Sequence, residues 1–257
     1  MNVDRDALRS RLSGTPLVVL LDVDGTLAPI APQPADATVP PSTHDALHTL
    51  ARTPGVVVGL VSGRSAADVC RLVPLSPSWV IGNHGAEILS PEGHETVEPR
   101  VSAYESVVAA ARADLEADGV AVENKRWTLT VHYRNADPAI VPVLREKVSR
   151  VATTHGLATI SGKKVLELRP PVAINKGTAV LWLADRVGGL APHASVLYAG
   201  DDATDEDAFL ALRSRMSRAV TIHVDGGEGS PETFAEYIVS DPREMGSLLA
   251  WLAELRR

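Results

Sequence analysis

Asp22 and Asp24 stand two residues apart at the end of an apolar run, Leu17 to Leu21, bounded upstream by Gly14 and Pro16. A run that short and rich in aliphatic residues reads as a strand buried on both faces. Residues i and i+2 of an extended chain share a face, so both carboxylates could project together if strand geometry persists that far. Gly25 lets the backbone turn just beyond them. Two carboxylates side by side repel unless a cation or a shared proton intervenes, and hard oxygen donors of this kind suit magnesium. A second acidic stretch, Gly200 to Phe209, sets five carboxylates within seven residues directly after the apolar run Ser195 to Ala199. A helix dipole favours acids in a first turn, which accounts for Thr204 or Asp205 as a cap but not for Asp201 and Asp202 at a strand end. Carboxylates from two strand ends could hold one octahedral Mg²⁺ and leave room for a phosphate oxygen.

Weaker signals stand between these stretches. Ser62-Gly63-Arg64 follows the apolar run Val56 to Val61. A hydroxyl and backbone N–H groups at a strand end could bind a phosphoryl oxygen, although Ser-Gly-Arg alone is an ordinary turn. Lys176 precedes a helical pattern at Asn175-Lys176-Gly177. A cation there would offset charge developing on a phosphoryl group, and a lone lysine is otherwise a solvated residue.

The elements that must position these groups alternate. Strand patterns at 17–21, 56–61 and 79–81 are separated by helical patterns at 44–53 and 66–72, and a short polar helix is expected within 1–13. Alternation of this kind means parallel βαβ units, and ligands then bind beyond the carboxyl ends of the strands. The pattern changes near residue 90. A helix is expected over 101–118, alternating strands over 120–126 and 127–134, a helix over 138–155, and a hairpin of 157–161 with 164–169 turning at Gly162. Strand–helix alternation resumes at Lys176. The expected fold class is α/β: a Rossmann-like, doubly wound parallel sheet formed by residues 1–99 and 173–257, with an inserted α+β cap domain at 100–172.

Bulk properties narrow the function classes. The 257 residues are 45% hydrophobic, 22% charged and only 4% aromatic, with a net charge of −7. The balance matches a globular protein, and its sign argues against a nucleic-acid or anionic-membrane partner. Cys70 is the single cysteine, so no intramolecular disulfide can form. The first residues lack a signal-peptide pattern, and no apolar stretch approaches the ~20 residues of a membrane span. A cytoplasmic, monomeric protein is expected.

Asp22-Val23-Asp24-Gly25-Thr26-Leu27 resembles the first motif of the haloacid dehalogenase superfamily of aspartyl phosphohydrolases. The resemblance implies roles. Asp22 would be nucleophile and metal ligand. Asp24 would be general acid/base and would ligate through its backbone carbonyl. Asp201 would be the remaining ligand, supported by Asp202 or Asp205. Ser62 and Lys176 would position the phosphoryl group and hold Asp22, with Gly63 and Arg64 beside the substrate. Asn83-His84-Gly85-Ala86-Glu87, Glu123-Asn124-Lys125, His132-Tyr133-Arg134, Glu167-Leu168-Arg169-Pro170 and the whole of 200–209 resemble, in order, motifs of trehalose-phosphate phosphatases. Val23 stands where many relatives carry an aromatic. The match implies a Mg²⁺-dependent hydrolysis of trehalose 6-phosphate to trehalose and phosphate, with a small phosphorylated disaccharide as the partner.

The cap residues fit a sugar on chemical grounds as well. Glu123 with Lys125, His132 with Arg134, and Glu167 with Arg169 each alternate to one face of a strand. A solvated sheet face with cross-strand ion pairs is the competing reading. With the resemblance, Glu123, Lys125, Arg134 and Glu167 are expected to contact the sugar, and Asn83 and His84 to face the same cleft. A phosphorylated pseudo-disaccharide, such as a trehalose-like aminocyclitol phosphate of the validoxylamine type, differs by a few ring atoms and remains the alternative substrate, beside other sugar phosphates. A non-catalytic phosphosugar-binding domain would have lost Asp22 or Asp201, and both are present.

Overall fold

A computed structural model describes residues 4–162, 164–227 and 232–257. The chain divides into two compact units, Met1–Thr96 with Ile174–Arg257, and Val97–Ala173. In chain order the first unit begins with α1 (Arg5–Arg11), β1 (Leu17–Asp22), α2 (Pro41–Arg52), β2 (Val56–Val61), α3 (Ala66–Leu72), β3 (Trp79–Gly82), β4 (Glu87–Leu89) and β5 (Glu95–Val97). The second unit holds α4 (Pro99–Ser102), α5 (Glu105–Ala117), β6 (Glu123–Asn124), β7 (Leu129–His132), α6 (Val141–His155), β8 (Ala158–Gly162) and β9 (Val165–Arg169). The first unit is completed by α7 (Lys176–Arg186), β10 (Ser195–Gly200), α8 (Ala203–Arg215), β11 (Val220–Val224), β12 (Tyr237–Val239) and α9 (Pro242–Leu255).

The larger sheet runs β12-β11-β10-β1-β2-β3-β4-β5. It is parallel from β12 to β3, and β4 is antiparallel to β3. Every residue of β1 is buried, and its side chains divide with period two. Leu17, Val19 and Leu21 join Leu47 and Leu50 of α2 and Leu249 and Leu252 of α9, whereas Val18 and Leu20 join Val180 and Leu183 of α7 and Phe209 and Leu212 of α8. The central strand thus holds helices on both faces, which its unbroken apolar run requires. The chain steps from β1 to β2 and β3 on one side, then returns to pair β10 on the other. This reversal makes β1 and β10 the switch point of the sheet, the place where open α/β folds bind ligands.

The second unit is a four-stranded antiparallel sheet, ordered β6-β7-β9-β8, with α5 and α6 packed on one face. Several expectations here need correction. The strands anticipated at 120–126 and 127–134 shrink to β6 and β7. Arg126 has φ +71°, its N–H bonds Asn124 Oδ1 at 2.8 Å, and Lys125 N–H bonds the Thr128 carbonyl at 3.0 Å, so the chain turns at 125–127. Lys125 and Arg134 therefore lie outside strands, and the alternation argument applies to neither. The helix anticipated at 101–118 is two pieces, α4 and α5. Gly162 is the last residue of β8, paired with Val165, and residue 163 lies outside the described residues.

Candidate active site

Strand geometry stops at Asp22, so the condition for Asp22 and Asp24 to share a face is not met. Asp22 is 3% exposed. Its Oδ1 accepts from Lys176 Nζ at 2.7 Å. Lys176 is the first residue of α7, whose start is fixed by a capping box of Asn175 and Thr178. A cation at a helix N-terminus opposes the dipole, and the carboxylates around it offset that cost: Asp22, Asp205 at 2.8 Å and Asp202 at 3.9 Å. Gly177 lets α7 approach α8, because a Cβ there would lie 2.4 Å from the Asp207 carbonyl oxygen.

Asp205 is fully buried and saturated. Its Oδ1 accepts from Lys176 and from the Tyr198 hydroxyl at 2.5 Å, and its Oδ2 from the N–H groups of Asp201 and Asp202, both at 3.1 Å. Asp202, not Thr204 or Asp205, caps α8, accepting from Thr204 N–H at 2.8 Å. The helix start therefore does account for Asp202. Asp201 remains: its carboxylate lies against Gly25, where an added Cβ would be 2.1 Å from Oδ2. Gly25 also has φ +85°. Gly25→Ala is accordingly expected to displace the Asp201 carboxylate and to cost about 1–2 kcal/mol from the left-handed backbone alone. Urea unfolding checks this, and unchanged stability would refute it.

Asp22, Asp201 and Asp205 each offer an oxygen within 4.8 Å of the others. The donors are hard oxygens, and one ammonium does not neutralise three carboxylates, so the residues present fit a divalent cation. All four lone-pair directions of Asp205 are engaged, so within this group Asp22 and Asp201 are the carboxylates that could hold a cation, and Asp205 holds the backbone that carries Asp201. The electrostatics agree. Burial, then repulsion from Asp205, Asp201 and Asp202, pushes the Asp22 carboxyl well above its usual range despite Lys176. Burial would lower Lys176, yet Asp205, Asp22 and Asp202 raise it well above the ordinary lysine value.

A second group forms beside this cluster. Arg64 donates to both oxygens of Asp24, Nε to Oδ2 and Nη2 to Oδ1, each at 2.6 Å, and to the Pro34 carbonyl at 2.8 Å. Ser62 is buried, and its Oγ accepts from Arg64 N–H at 3.1 Å. The N–H groups of Asn83 and His84 bond the carbonyls of Arg64 and Ser62. Asn83, His84 and Gly85 all have positive φ, which wraps this loop around Ser62 to Arg64. The His84 ring lies against Gly63, where a Cβ would fall 2.6 Å from Nε2. Of the remaining candidates, all in the second unit, Glu123 bonds His132 at 2.6 Å, Glu167 is buried on β9, Lys125 is half-buried and Arg134 is exposed.

Two contributors went unread in the sequence. Tyr198 faces Asp205 from β10, and only its place in a largely aliphatic strand hinted at a polar partner. Asp205, expected as one of two supports for Asp201, does bond the Asp201 N–H. Glu87 bonds both the Asn83 side chain at 2.8 Å and Ala66 N–H at 2.6 Å, tying the 83–85 loop to the start of α3.

The trehalose-phosphatase family profile matches residues 20–243. The chain belongs to the trehalose-phosphatase family. Among trehalose-phosphatase relatives, the trehalose-phosphate phosphatase of Mycobacterium tuberculosis is 35% identical over 247 residues, covering 93% of this chain and 62% of that protein. An uncharacterized glycosyl hydrolase of the same species is 38% identical over 229 residues, 86% of this chain but 17% of its own length. The chain thus spans less than two thirds of these curated relatives. Among solved structures, the C-terminal domain of the Candida albicans trehalose-6-phosphate phosphatase superposes with a TM-score of 0.79 at 26% identity, covering 98% of this chain and 97% of that one. A haloacid dehalogenase-like hydrolase from Bacteroides thetaiotaomicron gives 0.63 at 16% identity, covering 93% and 98%. The chain therefore has the haloacid dehalogenase-type Rossmann-like fold. Among its described residues no helix is long and apolar enough to cross a membrane.

Proposed function

We propose that this chain is a Mg²⁺-dependent phosphatase that hydrolyses trehalose 6-phosphate to trehalose and phosphate through an aspartyl-phosphate. The observation that carries the reading is Asp22, buried at the switch point of the sheet, held by Lys176 at 2.7 Å and within 4.8 Å of an Asp201 oxygen. Family membership supports the substrate.

Asp22 attacks phosphorus and the bond to the sugar oxygen breaks; that oxygen takes a proton from Asp24. Asp24 then accepts a proton from the water that attacks phosphorus, the bond between phosphorus and the Asp22 oxygen breaks, and phosphate leaves with the Asp22 carboxylate restored. Arg64 takes one lone pair on each oxygen of Asp24, which orients the carboxyl and leaves a second lone pair on each oxygen for the proton. Ser62, the backbone at Gly63, and Lys176 orient the phosphoryl oxygens. Asp22, Asp201 and the Asp24 carbonyl would hold Mg²⁺, which supplies charge stabilisation at the phosphoryl oxygens. Glu123, Lys125, Arg134 and Glu167, with Asn83 and His84, are the proposed substrate contacts.

Phosphate release tests the reading on trehalose 6-phosphate, a pseudo-disaccharide phosphate, sucrose 6-phosphate, glucose 6-phosphate and p-nitrophenyl phosphate, with Mg²⁺ and with EDTA. Trehalose 6-phosphate is expected to lead by orders of magnitude, with loss of turnover in EDTA. A pseudo-disaccharide that leads instead keeps the chemistry and replaces the substrate. No hydrolysis at all refutes the reading.

Mg²⁺ is also expected to raise the melting temperature, by about 2.7 kcal/mol at a hundredfold excess over Kd, or roughly 5–10 °C. The folded-state pKa of Asp22 is raised. The fold thus retains a proton that the unfolded chain has released, and without metal stability falls as pH rises from the ordinary aspartate value through the raised one. The metal takes the carboxylate form, so its stabilisation grows across that window. Melting curves with and without Mg²⁺ over a pH series that starts at the ordinary aspartate value check this, and a shift independent of pH would refute it.

A further inference from the structure

The sheet of the second unit has two unlike faces. Leu129, Val131, Leu166 and Leu168 pack with Val108, Leu115 and Val148 of α5 and α6. The opposite face carries a row in strand register: Glu123 on β6 pairs with Thr130 on β7, which pairs with Glu167 on β9. One oxygen of Glu123 is engaged by His132 Nε2 at 2.6 Å. Thr130, between the two acids, is 2% exposed, and its Oγ1 has no hydrogen-bond partner among the described residues.

That hydroxyl calls for an explanation. A buried hydroxyl without a partner is costly. Valine has nearly the same shape, shares the strand preference, and would avoid the cost. A threonine kept at this position is accounted for if a ligand completes its hydrogen bond. The flanking residues say what kind. Neighbouring strands lie about 4.7–4.9 Å apart, so the two glutamates flank Thr130 across roughly 9.5 Å, about the width of one sugar ring with its substituents. Glutamate is the longer side chain, so a ligand held by both carboxylates would lie over the threonine hydroxyl. Carboxylates only accept, whereas a hydroxyl both donates and accepts. The complementary ligand donates at its two edges and presents an oxygen between them, as a pyranose with free hydroxyls does.

We propose that Thr130 is a specificity-determining residue, its hydroxyl bonding a ring hydroxyl of the sugar that Glu123 and Glu167 flank. The inference rests on the sugar-phosphate reading above. It is distinct from the charge-based contacts already proposed, because Thr130 adds no charge and selects by hydrogen-bond complementarity alone.

The test compares wild type, Thr130→Val and Thr130→Ser by the ratio of kcat/KM for trehalose 6-phosphate to that for p-nitrophenyl phosphate, which has no sugar. Thr130→Val is expected to lower this ratio about tenfold, mainly through KM, while its melting temperature stays level or rises. Thr130→Ser, which keeps the hydroxyl, is expected to stay within about threefold of wild type. An unchanged ratio in Thr130→Val overturns the proposal. So does an equal fall in Thr130→Ser, which would assign the effect to methyl packing. Should Thr130→Val fail to fold, Thr130→Ala read against Thr130→Ser makes the same comparison. A wild type that cleaves p-nitrophenyl phosphate and none of the sugar phosphates defeats the sugar reading and this proposal with it. A sugar-selective wild type with an indifferent Thr130→Val defeats this proposal alone.

Discussion

Asp22→Asn is expected to reduce phosphate release by at least about 10⁴-fold, the scale on which loss of a nucleophile acts, while leaving the fold intact. Asparagine keeps the shape of the side chain and removes a charge. That charge sits in a fully buried strand end, crowded by Asp205, Asp201 and Asp202. Lys176 keeps its bond to Asp205 at 2.8 Å, so the substitution leaves no buried ammonium unpaired. The melting temperature is therefore expected to hold or rise as activity disappears, and that separation is the informative part. Far-UV circular dichroism, a melting curve and phosphate release on one preparation check it. Activity within tenfold of wild type would exclude an aspartyl-phosphate on Asp22.

Lys176→Met has the opposite signature, because the cation is what lets the acids be buried. Its Nζ lies 2.7 Å from Asp22 and 2.8 Å from Asp205, with Lys176 2% and Asp205 0% exposed. Removing one partner of a buried ion pair costs about 3–5 kcal/mol, a large part of the stability of an ordinary domain. The raised pKa of Lys176 means its contribution is fully present at neutral pH and is lost only as pH rises beyond the ordinary lysine range. Adding Asp205→Asn to Lys176→Met is expected to recover part of the loss, since it removes one of the stranded charges. Urea denaturation of both variants measures the coupling. A single variant as stable as wild type would mean the carboxylates find another counter-charge.

The parallel core was legible because its strands advertise themselves. Leu17–Leu21, Val56–Val61 and Ser195–Ala199 are short apolar runs that each end in polar turn residues, and central strands covered on both faces have no other way to read. The second unit was harder. Its strands are covered by helices on one face, so they carry alternation, and alternation does not say where a strand stops. The turn at 125–127 depends on a positive φ at Arg126 and a side-chain bond from Asn124, neither of which periodicity encodes. At the site, strand ends pointed to Asp22 and Asp201 and the family resemblance added Lys176, which the fold does bring together. Pairing was less visible. That Asp24 would be held by Arg64 and that Asp205 would meet Lys176 are facts of tertiary geometry, whereas the Asp202 cap of α8 is local and was assigned to its neighbours. Five acids in seven residues give no means of ranking one above another.

The bond between Asp22 and Lys176 joins residues 154 positions apart, and the strands that carry the cluster, β1 and β10, are more remote still, Leu17 pairing with Ser195. During synthesis, β1 leaves the ribosome long before the strand and helix that complete its surroundings. Its buried acid must wait in water, where it is comfortable, beside apolar residues that are not. Closing a loop of that length costs roughly 4–5 kcal/mol of chain entropy. The segment in between contains a unit with its own core, able to collapse early and shorten the slack that remains. The expected order of assembly is local helices and the inserted unit first, the central pairing of β1 with β10 late, and the carboxylate cluster last of all. A chain cut short before α7 would thus carry every residue of the first motif and none of its chemistry.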